Sequence, residues 1–123
     1  MRRAASTRRS ASTTARGRAA ERRARLHYLL RGYRVLAVNA RAGGNELDIV
    51  LRRGGRLVFC EVKAKSSDRY GDPLEMVGPE KRRRLRRAAE AWLAEHPEVA
   101  SLSVSFEVAA VRAGRLERLR NAF

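Results

Sequence analysis

The segment Glu46–Lys63 has the sequence ELDIVLRRGGRLVFCEVK. Two apolar runs flank a glycine pair, a pattern typical of a β-hairpin closed by a primed turn, whose central residues we expect to take positive φ. We therefore predict one strand on each side of Gly54-Gly55, with Asp48 in the first strand and Glu61 and Lys63 in the second. Carboxylates are costly among apolar strand residues unless they are paired or bind a metal, so these side chains need an explanation.

The turn predicts which residues of the two strands face each other. With a two-residue loop, Arg53 pairs with Arg56, and counting away from the turn in antiparallel register places Asp48 opposite Glu61. Because side chains alternate between the faces of a strand, Lys63 shares a face with Glu61. Opposed residues have Cβ atoms about 4.5–5.5 Å apart, and like charges at that distance destabilise a sheet unless something neutralises them.

Two explanations fit this acidic pair. Mg²⁺ or Mn²⁺ takes oxygen ligands, commonly one or two carboxylates completed by water and substrate phosphate, and Asp48 and Glu61 would supply that set. Lys63 would then orient or deprotonate the attacking water, or stabilise charge on the phosphate. The alternative is an Asp/Glu/Lys network that balances its own charge at a sheet edge. The residues alone leave both explanations open.

A series of short motifs follows in order along the chain, each weak alone but specific in combination. They are Gly17–Glu21, Leu29–Leu36, Asn39, Glu46–Asp48, Val58–Lys63, Gly71–Val77, Lys81, Phe106–Val108 and Asn121–Phe123. Through them, residues 17–123 resemble the small bacterial endonuclease-like family known as YraN or UPF0102.

The resemblance implies an α/β fold of the restriction-endonuclease-like type, a three-layer sandwich with a central mixed β-sheet flanked by helices. It also implies a PD-(D/E)xK type of site, similar to that of archaeal Holliday-junction resolvases, which Asp48, Glu61 and Lys63 match residue by residue. Glu21, on the first helix, matches an acidic position that completes the metal site in the resolvase-like branch. Without the resemblance, Glu21 is expected to form an i,i+4 ion pair with Arg25, which is a common surface arrangement.

Four positions depart from the usual pattern of that family. Asn45 replaces a glycine, Cys60 a valine, Lys65 an arginine and Glu107 an aspartate, but none of these changes removes the acidic pair or its lysine. As the one cysteine of the chain, Cys60 excludes an intramolecular disulfide and is expected to pack in the core rather than to react. A reducing, cytoplasmic location is therefore expected.

The charge balance favours a polyanionic partner. The chain has 28 basic and 13 acidic residues, a formal net charge of +15, and nearly all of the basic residues are arginines. Because the arginine fork suits phosphate oxygens, we expect nucleic acid as the partner. The resemblance to the endonuclease-like family implies DNA rather than RNA. A membrane is not expected, since no apolar run approaches the roughly 20 residues that cross a bilayer.

The chain is long enough for one domain preceded by a basic extension. Residues 1–16 are too poor in large apolar groups to offset the entropy of ordering, and we expect a flexible basic tail before an endonuclease-like domain at 17–123. The tail is either a nonspecific phosphate grip or an extension without a role.

A helix over 17–31 is expected to turn Leu26, Leu29 and Leu30 inward and to end at Gly32. The first strand is predicted at Arg34–Asn39. Beyond the hairpin, Ser66–Gly78 is a loop that would form a wall of the substrate cleft or merely connect two elements.

A second helix is predicted from Pro79, ending before Pro97. Its apolar stripe consists of Leu85, Ala88, Ala89, Trp92 and Leu93. Basic residues crowd its remaining surface, and because like charges repel one another on a helix, we favour phosphate contact over a merely solvated face. The residues expected to bind nucleic acid are Lys81, Arg82, Arg83, Arg86 and Arg87. A strand at Ser101–Arg112 and a short final strand through Leu116 and Leu119 complete the predicted sheet.

Two functions of different classes follow from these observations. In the first, the protein is a Mg²⁺- or Mn²⁺-dependent endonuclease in which Asp48, Glu61 and Glu21 hold the metal and Lys63 positions the water. In the second, it binds nucleic acid on a nuclease-like scaffold without cutting it. Branched DNA as a substrate follows only from the resolvase resemblance. A two-fold homodimer would suit paired cuts on such DNA, although no pattern in the chain identifies an interface.

Overall fold

The computed structural model describes residues 11–65 and 77–123. Within these ranges, two α-helices, five β-strands and one turn of 3₁₀ helix follow one another along the chain. They are α1 (Ala11–Leu29), β1 (Arg34–Ala42), β2 (Asn45–Arg53), β3 (Arg56–Ala64), α2 (Pro79–Ala94), the 3₁₀ turn (Pro97–Val99), β4 (Ser103–Arg112) and β5 (Arg115–Leu119).

The strands form one mixed sheet in the order β1-β2-β3-β4-β5. Neighbouring strands are antiparallel except for β3 and β4, which run parallel and are joined through α2. A parallel pair needs such a crossover because a tight turn can only join antiparallel strands. The predicted α/β class with a central mixed sheet is therefore confirmed.

The central hairpin has the predicted register. Residues 49–53 of β2 pair with residues 56–60 of β3, from Arg53 with Arg56 at the turn to Ile49 with Cys60. The next step of the same register places the first acidic residue of the hairpin, at position 48, opposite the second, at position 61.

The turn itself differs in one detail from the expectation. Gly54 has a φ of +58°, whereas Gly55 does not lie in the left-handed region. Our expectation of positive φ at both positions is therefore wrong. A type II′ turn needs positive φ only at its first central residue, and it closes a hairpin of the same length with the same register.

A helix covers each face of the sheet. On one face, α1 contributes Ala24 and Tyr28 to a cluster with Val58 and Cys60 of β3. On the other face, α2 packs on a cluster that includes Leu57 and Phe59, the residues that alternate with them along the strand. Leu47 departs from the alternation along β2, because it joins the α2 cluster although Ile49 faces α1. The arrangement is two helices packed on one five-stranded sheet.

The buried face of α1 was predicted wrongly. Leu26, Leu29 and Leu30 are 50%, 52% and 73% exposed, whereas Ala20, Ala24 and Tyr28 are buried. Their i, i+4, i+8 spacing forms one stripe. The small alanines let the helix approach the sheet closely, and the hydroxyl of Tyr28 finds a buried partner there.

The ends of α1 also differ from the prediction of 17–31. The helix begins at Ala11, so it includes six residues that we expected in the basic tail, and it ends at Leu29. Gly32 ends it as predicted, with a φ of +86°, while the Gly32 N–H donates to the Leu29 carbonyl and the Tyr33 N–H to the Tyr28 carbonyl. These two bonds define a Schellman motif. Residues 1–10 of the predicted tail lie outside the described residues.

The second helix agrees with its prediction at its start and on its buried face. It begins at Pro79, and Leu85, Ala88, Ala89 and Trp92 are buried, while Leu93 is partly buried. The indole of Trp92 meets the Phe59 ring edge-on at 5.8 Å, so it anchors the helix to the sheet. The helix ends at Ala94, three residues before Pro97.

The last two strands agree closely with prediction, since β4 begins two residues later than expected and β5 includes Leu116 and Leu119. Most of the predicted Ser66–Gly78 loop, residues 66–76, lies outside the described residues. In the part of the chain that is described, neither helix has the length and hydropathy needed to span a membrane.

Candidate functional site

Asp48 and Glu61 lie at the end of the hairpin away from its turn. The backbone ladder between β2 and β3 stops at Ile49 and Cys60, and beyond it the Val62 N–H donates a 2.9 Å hydrogen bond to Oδ2 of Asp48. The Asp48 carboxylate therefore takes the place of a backbone partner where the β2–β3 ladder ends. This bond fixes the side chain across the boundary between the two strands.

Glu61 is held by two lysines. It is 5% exposed, and its Oε2 lies 3.4 Å from Nζ of Lys63 and 3.2 Å from Nζ of Lys81. Lys63 comes from the same face of β3, as predicted, whereas Lys81 reaches in from the first turn of α2. Sequence reasoning had assigned Lys81 to the basic helix surface, and no local pattern distinguished it from the arginines that follow.

The surroundings of Asp48 change its pKa. Burial raises the pKa of Asp48 to about 8, with the nearby charge of Glu61 as the next cause and that of Glu21 as a smaller one. The Val62 N–H and the Lys81 ammonium act in the opposite direction. Ionising Asp48 beside Glu61 is therefore costly unless positive charge lies close to it.

Glu21 approaches this acidic site from α1. Its Oε1 accepts a 3.3 Å hydrogen bond from Nδ2 of Asn39 on β1. Burial raises its pKa, as do the charges of Glu46 and Glu61, while the Asn39 hydrogen bond and Arg25 lower it. The alternative prediction was an ion pair between Glu21 and Arg25. Among the described residues, Glu21 is hydrogen-bonded to Asn39 instead.

The described ranges contain no group of three His, Cys, Asp or Glu side chains close enough together to hold a metal ion. The structure thus brings Asp48, Glu61 and Lys63 together, and adds Lys81. Glu21 lies near enough to affect their charge states but does not complete a preassembled set of ligands. Its role as a metal ligand stays a prediction.

Two cavities adjoin the acidic residues. One of about 110 Å³ opens between the hairpin and α2 and is lined by Asn45, Glu46, Asp48, Lys81, Arg84 and Leu85. The other, of about 10 Å³, lies between the acidic pair and the aromatic core. The first has room for several water molecules or a small polar group, whereas the second has room for about one water at most.

The basic residues of α2 are partly neutralised within the helix itself. Glu80 accepts hydrogen bonds from Arg83 at 2.7 Å and Arg84 at 3.4 Å, and Lys81 pairs with Glu61. Sequence reasoning had not weighed Glu80, which offsets part of the repulsion that we took as a sign of a bound anion. Arg86 and Arg87 are exposed.

A second buried carboxylate, Glu107, was missed as a structural element. It is 1% exposed and accepts hydrogen bonds from the Tyr28 hydroxyl at 2.6 Å and from Nε of Arg118 at 2.8 Å. Arg118 also donates to the Tyr33 hydroxyl. The position of an acidic residue in the middle of the apolar strand β4 could have indicated a buried carboxylate with its own partners. Beside this network, the Cys60 thiol is buried, and burial raises its pKa to about 12.

The site geometry can be set beside known proteins. The sequence model of the family described as "Uncharacterised protein family UPF0102" matches residues 20–111. A UPF0102 protein of Frankia alni is 46% identical over 112 residues, covering 87% of this chain and 92% of the relative. One from Azorhizobium caulinodans is 42% identical over 117 residues, covering 94% and 88%, and one from Klebsiella pneumoniae is 38% identical over 108 residues, covering 87% and 84%.

Proposed function

The chain belongs to the UPF0102 family, and on that premise we propose that it is a metal-dependent endonuclease that hydrolyses phosphodiester bonds in DNA. The observation that carries the proposal is the acidic pair, Asp48 and Glu61, set on neighbouring strands with the ammonium groups of Lys63 and Lys81 beside it. Two carboxylates can hold a metal ion that activates water, and adjacent lysines can stabilise the charge that develops on a phosphate.

The donor set fits a hard divalent cation in kind and number. Mg²⁺ is usually held by one or two carboxylates and completes its shell with water and substrate phosphate. Asp48 and Glu61 would hold it, since a cation within reach of both would offset the burial and the repulsion by Glu61 that raise the pKa of Asp48. The cavity of about 110 Å³ beside Asp48 leaves room for water. When bound, the ion would polarise the phosphate and activate a water molecule.

The other residues of the site have roles that follow from their positions. The Val62 N–H would keep Asp48 in a fixed orientation through its bond to Oδ2. Lys63, 3.4 Å from Glu61, would orient the attacking water or stabilise charge on the phosphate. Lys81, at 3.2 Å from the same oxygen, would add a second positive charge for a phosphate near the cavity that it lines. Glu21 would contribute negative charge from α1.

The basic surface supports a nucleic-acid substrate. With a net charge of +15, the chain attracts polyanions at long range, and the exposed arginines of α2 begin within one turn of Lys81. Phosphate contacts of this kind position a duplex without reading its sequence. A branched substrate follows only from the family's likeness to junction resolvases, so it is one member of the substrate panel below.

One observation favours the alternative of a nucleic-acid-binding protein without catalysis. Glu61 already has two lysine partners, and no three candidate ligands stand together in the described ranges. The two ammonium groups neutralise most of the charge of this carboxylate, as they would in a purely structural network. The two functions make opposite predictions for a cleavage assay.

The test is cleavage by the purified full-length protein. The substrates are labelled duplex, single-stranded and four-way branched DNA and single-stranded RNA, each with Mg²⁺, with Mn²⁺ and with a chelator. Glu61→Gln and Lys63→Met remove groups of the site, and Glu98→Gln is the matched control, because Glu98 is exposed and lies in the 3₁₀ turn outside it.

The endonuclease proposal predicts metal-dependent cleavage of DNA that is lost in Glu61→Gln and Lys63→Met and kept in Glu98→Gln. Cleavage that persists in Glu61→Gln would contradict the proposed site. Salt-sensitive binding of all substrates without any metal-dependent cleavage would favour the binding function.

A further inference from the structure

Asn39 has an unusual backbone for its position. It lies inside the nine-residue strand β1, yet its φ is +52°, in the left-handed region that non-glycine residues rarely adopt. Just before it, the pairing with β2 shifts by one residue between Val35 and Ala37, as in a β-bulge. Left-handed residues and bulges inside strands commonly serve to aim a side chain.

The pairing and one hydrogen bond show what Asn39 is aimed at. Its neighbours pair as Val38 with Ile49 and Ala40 with Leu47, which places Asn39 directly opposite Asp48. The amide of Asn39 then donates through Nδ2 to Oε1 of Glu21 on α1. Asn39 therefore stands beside one acidic residue of the site and holds another.

We propose that Asn39 is a positioning residue, whose left-handed backbone places its amide so that Glu21 stays at the acidic site of Asp48 and Glu61. This inference rests on the proposed function, because Glu21 contributes only if that site takes a divalent cation. Asparagine suits the task, since it tolerates the left-handed region better than other side chains and its amide donates to a carboxylate.

Two substitutions separate the backbone from the amide. In Asn39→Gly the backbone keeps a conformation that glycine adopts freely, while the hydrogen bond to Glu21 is lost. In Asn39→Asp the residue still tolerates positive φ, but a carboxylate would face Glu21 in place of a donor. If Asn39 had only a structural role, the glycine variant would keep the properties of the site.

Asn121 provides a matched control. It is also an asparagine with a φ of +52°, and its Oδ1 accepts a hydrogen bond from Ser105 on β4 rather than from a group of the acidic site. Asn121→Gly therefore makes the same chemical change on the same backbone conformation elsewhere in the molecule.

The measurement is Mn²⁺ binding by titration calorimetry to the full-length protein, with denaturant unfolding of each variant. We expect Asn39→Gly to unfold at the same denaturant concentration as the native protein or at a higher one. We also expect it to bind Mn²⁺ about tenfold more weakly, because removing a residue that orients a metal ligand commonly weakens metal affinity by about this factor. Asn39→Asp should weaken Mn²⁺ binding at least as much, and Asn121→Gly should not change it. In the double variant, Asn39→Gly should not weaken Mn²⁺ binding beyond the loss caused by Glu21→Gln alone.

The outcomes distinguish this inference from the proposed function. If Glu21→Gln weakens Mn²⁺ binding but Asn39→Gly binds like the native protein, the inference is overturned and the site stands. If Glu21→Gln binds normally while Glu61→Gln does not, the inference also fails, because Glu21 then has no part in a working site. If the native protein does not bind Mn²⁺, both fail together.

Discussion

At the scale of single residues, carboxylates that are buried or partly buried in the described part of the chain have two kinds of surroundings. Glu107 is fully enclosed, and a guanidinium and a phenol satisfy its oxygens. Asp48 and Glu61 instead lie just beyond the point where the β2–β3 ladder ends, with Asp48 beside a polar cavity, and burial followed by the charge of Glu61 raises the pKa of Asp48. A carboxylate that only supports a fold is expected to resemble Glu107, because full compensation lowers the cost of burial. Glu61 has two lysine partners, whereas the hydrogen-bond donor to Asp48 among the described residues is the Val62 N–H, and this weaker compensation of Asp48 is why we assign function there.

The compensation of Glu107 predicts a large loss of stability when its partner is removed. Arg118→Leu would leave a buried carboxylate without its ion pair and should lower the free energy of unfolding by about 3–5 kcal/mol. Tyr28→Phe removes one hydrogen bond to a charged group and should cost about 1.5–3 kcal/mol. Urea denaturation measures both, with Arg115→Leu on the exposed part of β5 as control. A loss below 1 kcal/mol for Arg118→Leu would contradict this view of the network.

His27 predicts a pH dependence of stability. Its Nε2 is buried without a hydrogen-bond partner among the described residues, and burial, with the charges of Arg31 and Arg118, lowers its pKa to about 4. The unfolded chain binds the proton near pH 6.5, while the folded chain stays neutral until about pH 4. Protonation therefore favours unfolding, and this part of the stability, complete above pH 6.5, is lost as the pH falls toward 4.

The measurement is the free energy of unfolding of the native protein and of His27→Phe between pH 7.5 and 4. The stability of the native protein should fall relative to that of the variant as the pH decreases through this window. A difference that stays constant, or changes in the opposite direction, would contradict the assignment.

At the scale of secondary-structure elements, the sequence predicts an element best where the interactions that form it join residues close together in the chain. The register of the Gly54-Gly55 hairpin follows from the length of its turn, and α2 follows from Pro79 and its apolar stripe. The buried face of α1 was predicted wrongly because Leu26, Leu29 and Leu30 form an equally good apolar pattern. On the face that is buried, Tyr28 bonds to Glu107, which lies 79 residues away, and a local pattern does not show this contact.

Substitution by alanine is expected to change the stability in opposite directions at two glycines, one inside α1 and one just after it. Gly32 ends the helix with a φ of +86°, so Gly32→Ala should destabilise the protein by about 1 kcal/mol although the new methyl group meets no atom. Gly17 lies inside the helix, also with open space around it, and Gly17→Ala should stabilise by about 0.5–1 kcal/mol. Thermal unfolding of the two variants checks this. Equal effects of the same sign would mean that the helix ends elsewhere.

At the scale of the whole molecule, the fold brings together groups that no local pattern connects. Lys81 reaches Glu61 across the β3–α2 crossover, and Asn39 meets Glu21 between the edge strand and α1. Sequence reasoning could place Asp48 opposite Glu61, because one turn separates them. It could not place Lys81, Glu21 or Asn39, since each depends on how a helix packs against the sheet. The motifs of the family resemblance include Glu21, Asn39 and Lys81, but they give no reason for the positions of these residues in the fold.

The distribution of charge over the molecule predicts where nucleic acid binds. Arg86→Ser with Arg87→Ser should weaken DNA binding and lower the slope of log affinity against log salt by about 0.9 for each lost phosphate contact. The control is Arg53→Ser with Arg56→Ser, which removes the same charge from the turn at the other end of the hairpin. Binding measured by fluorescence anisotropy at several salt concentrations decides the matter. Equal losses in both double variants would mean that only the total charge counts.

The central claim is that the facing carboxylates of the hairpin serve metal-dependent cleavage. The most direct test is the initial rate of DNA cleavage in Mg²⁺ by the native protein and by Asp48→Asn, which keeps the side-chain volume and an acceptor for the Val62 N–H but removes the charge. We predict a rate lower by about 100-fold or more, with unfolding unchanged or shifted toward greater stability, because a metal ligand is lost and a repulsion is relieved. A cleavage rate equal to that of the native protein would contradict the claim.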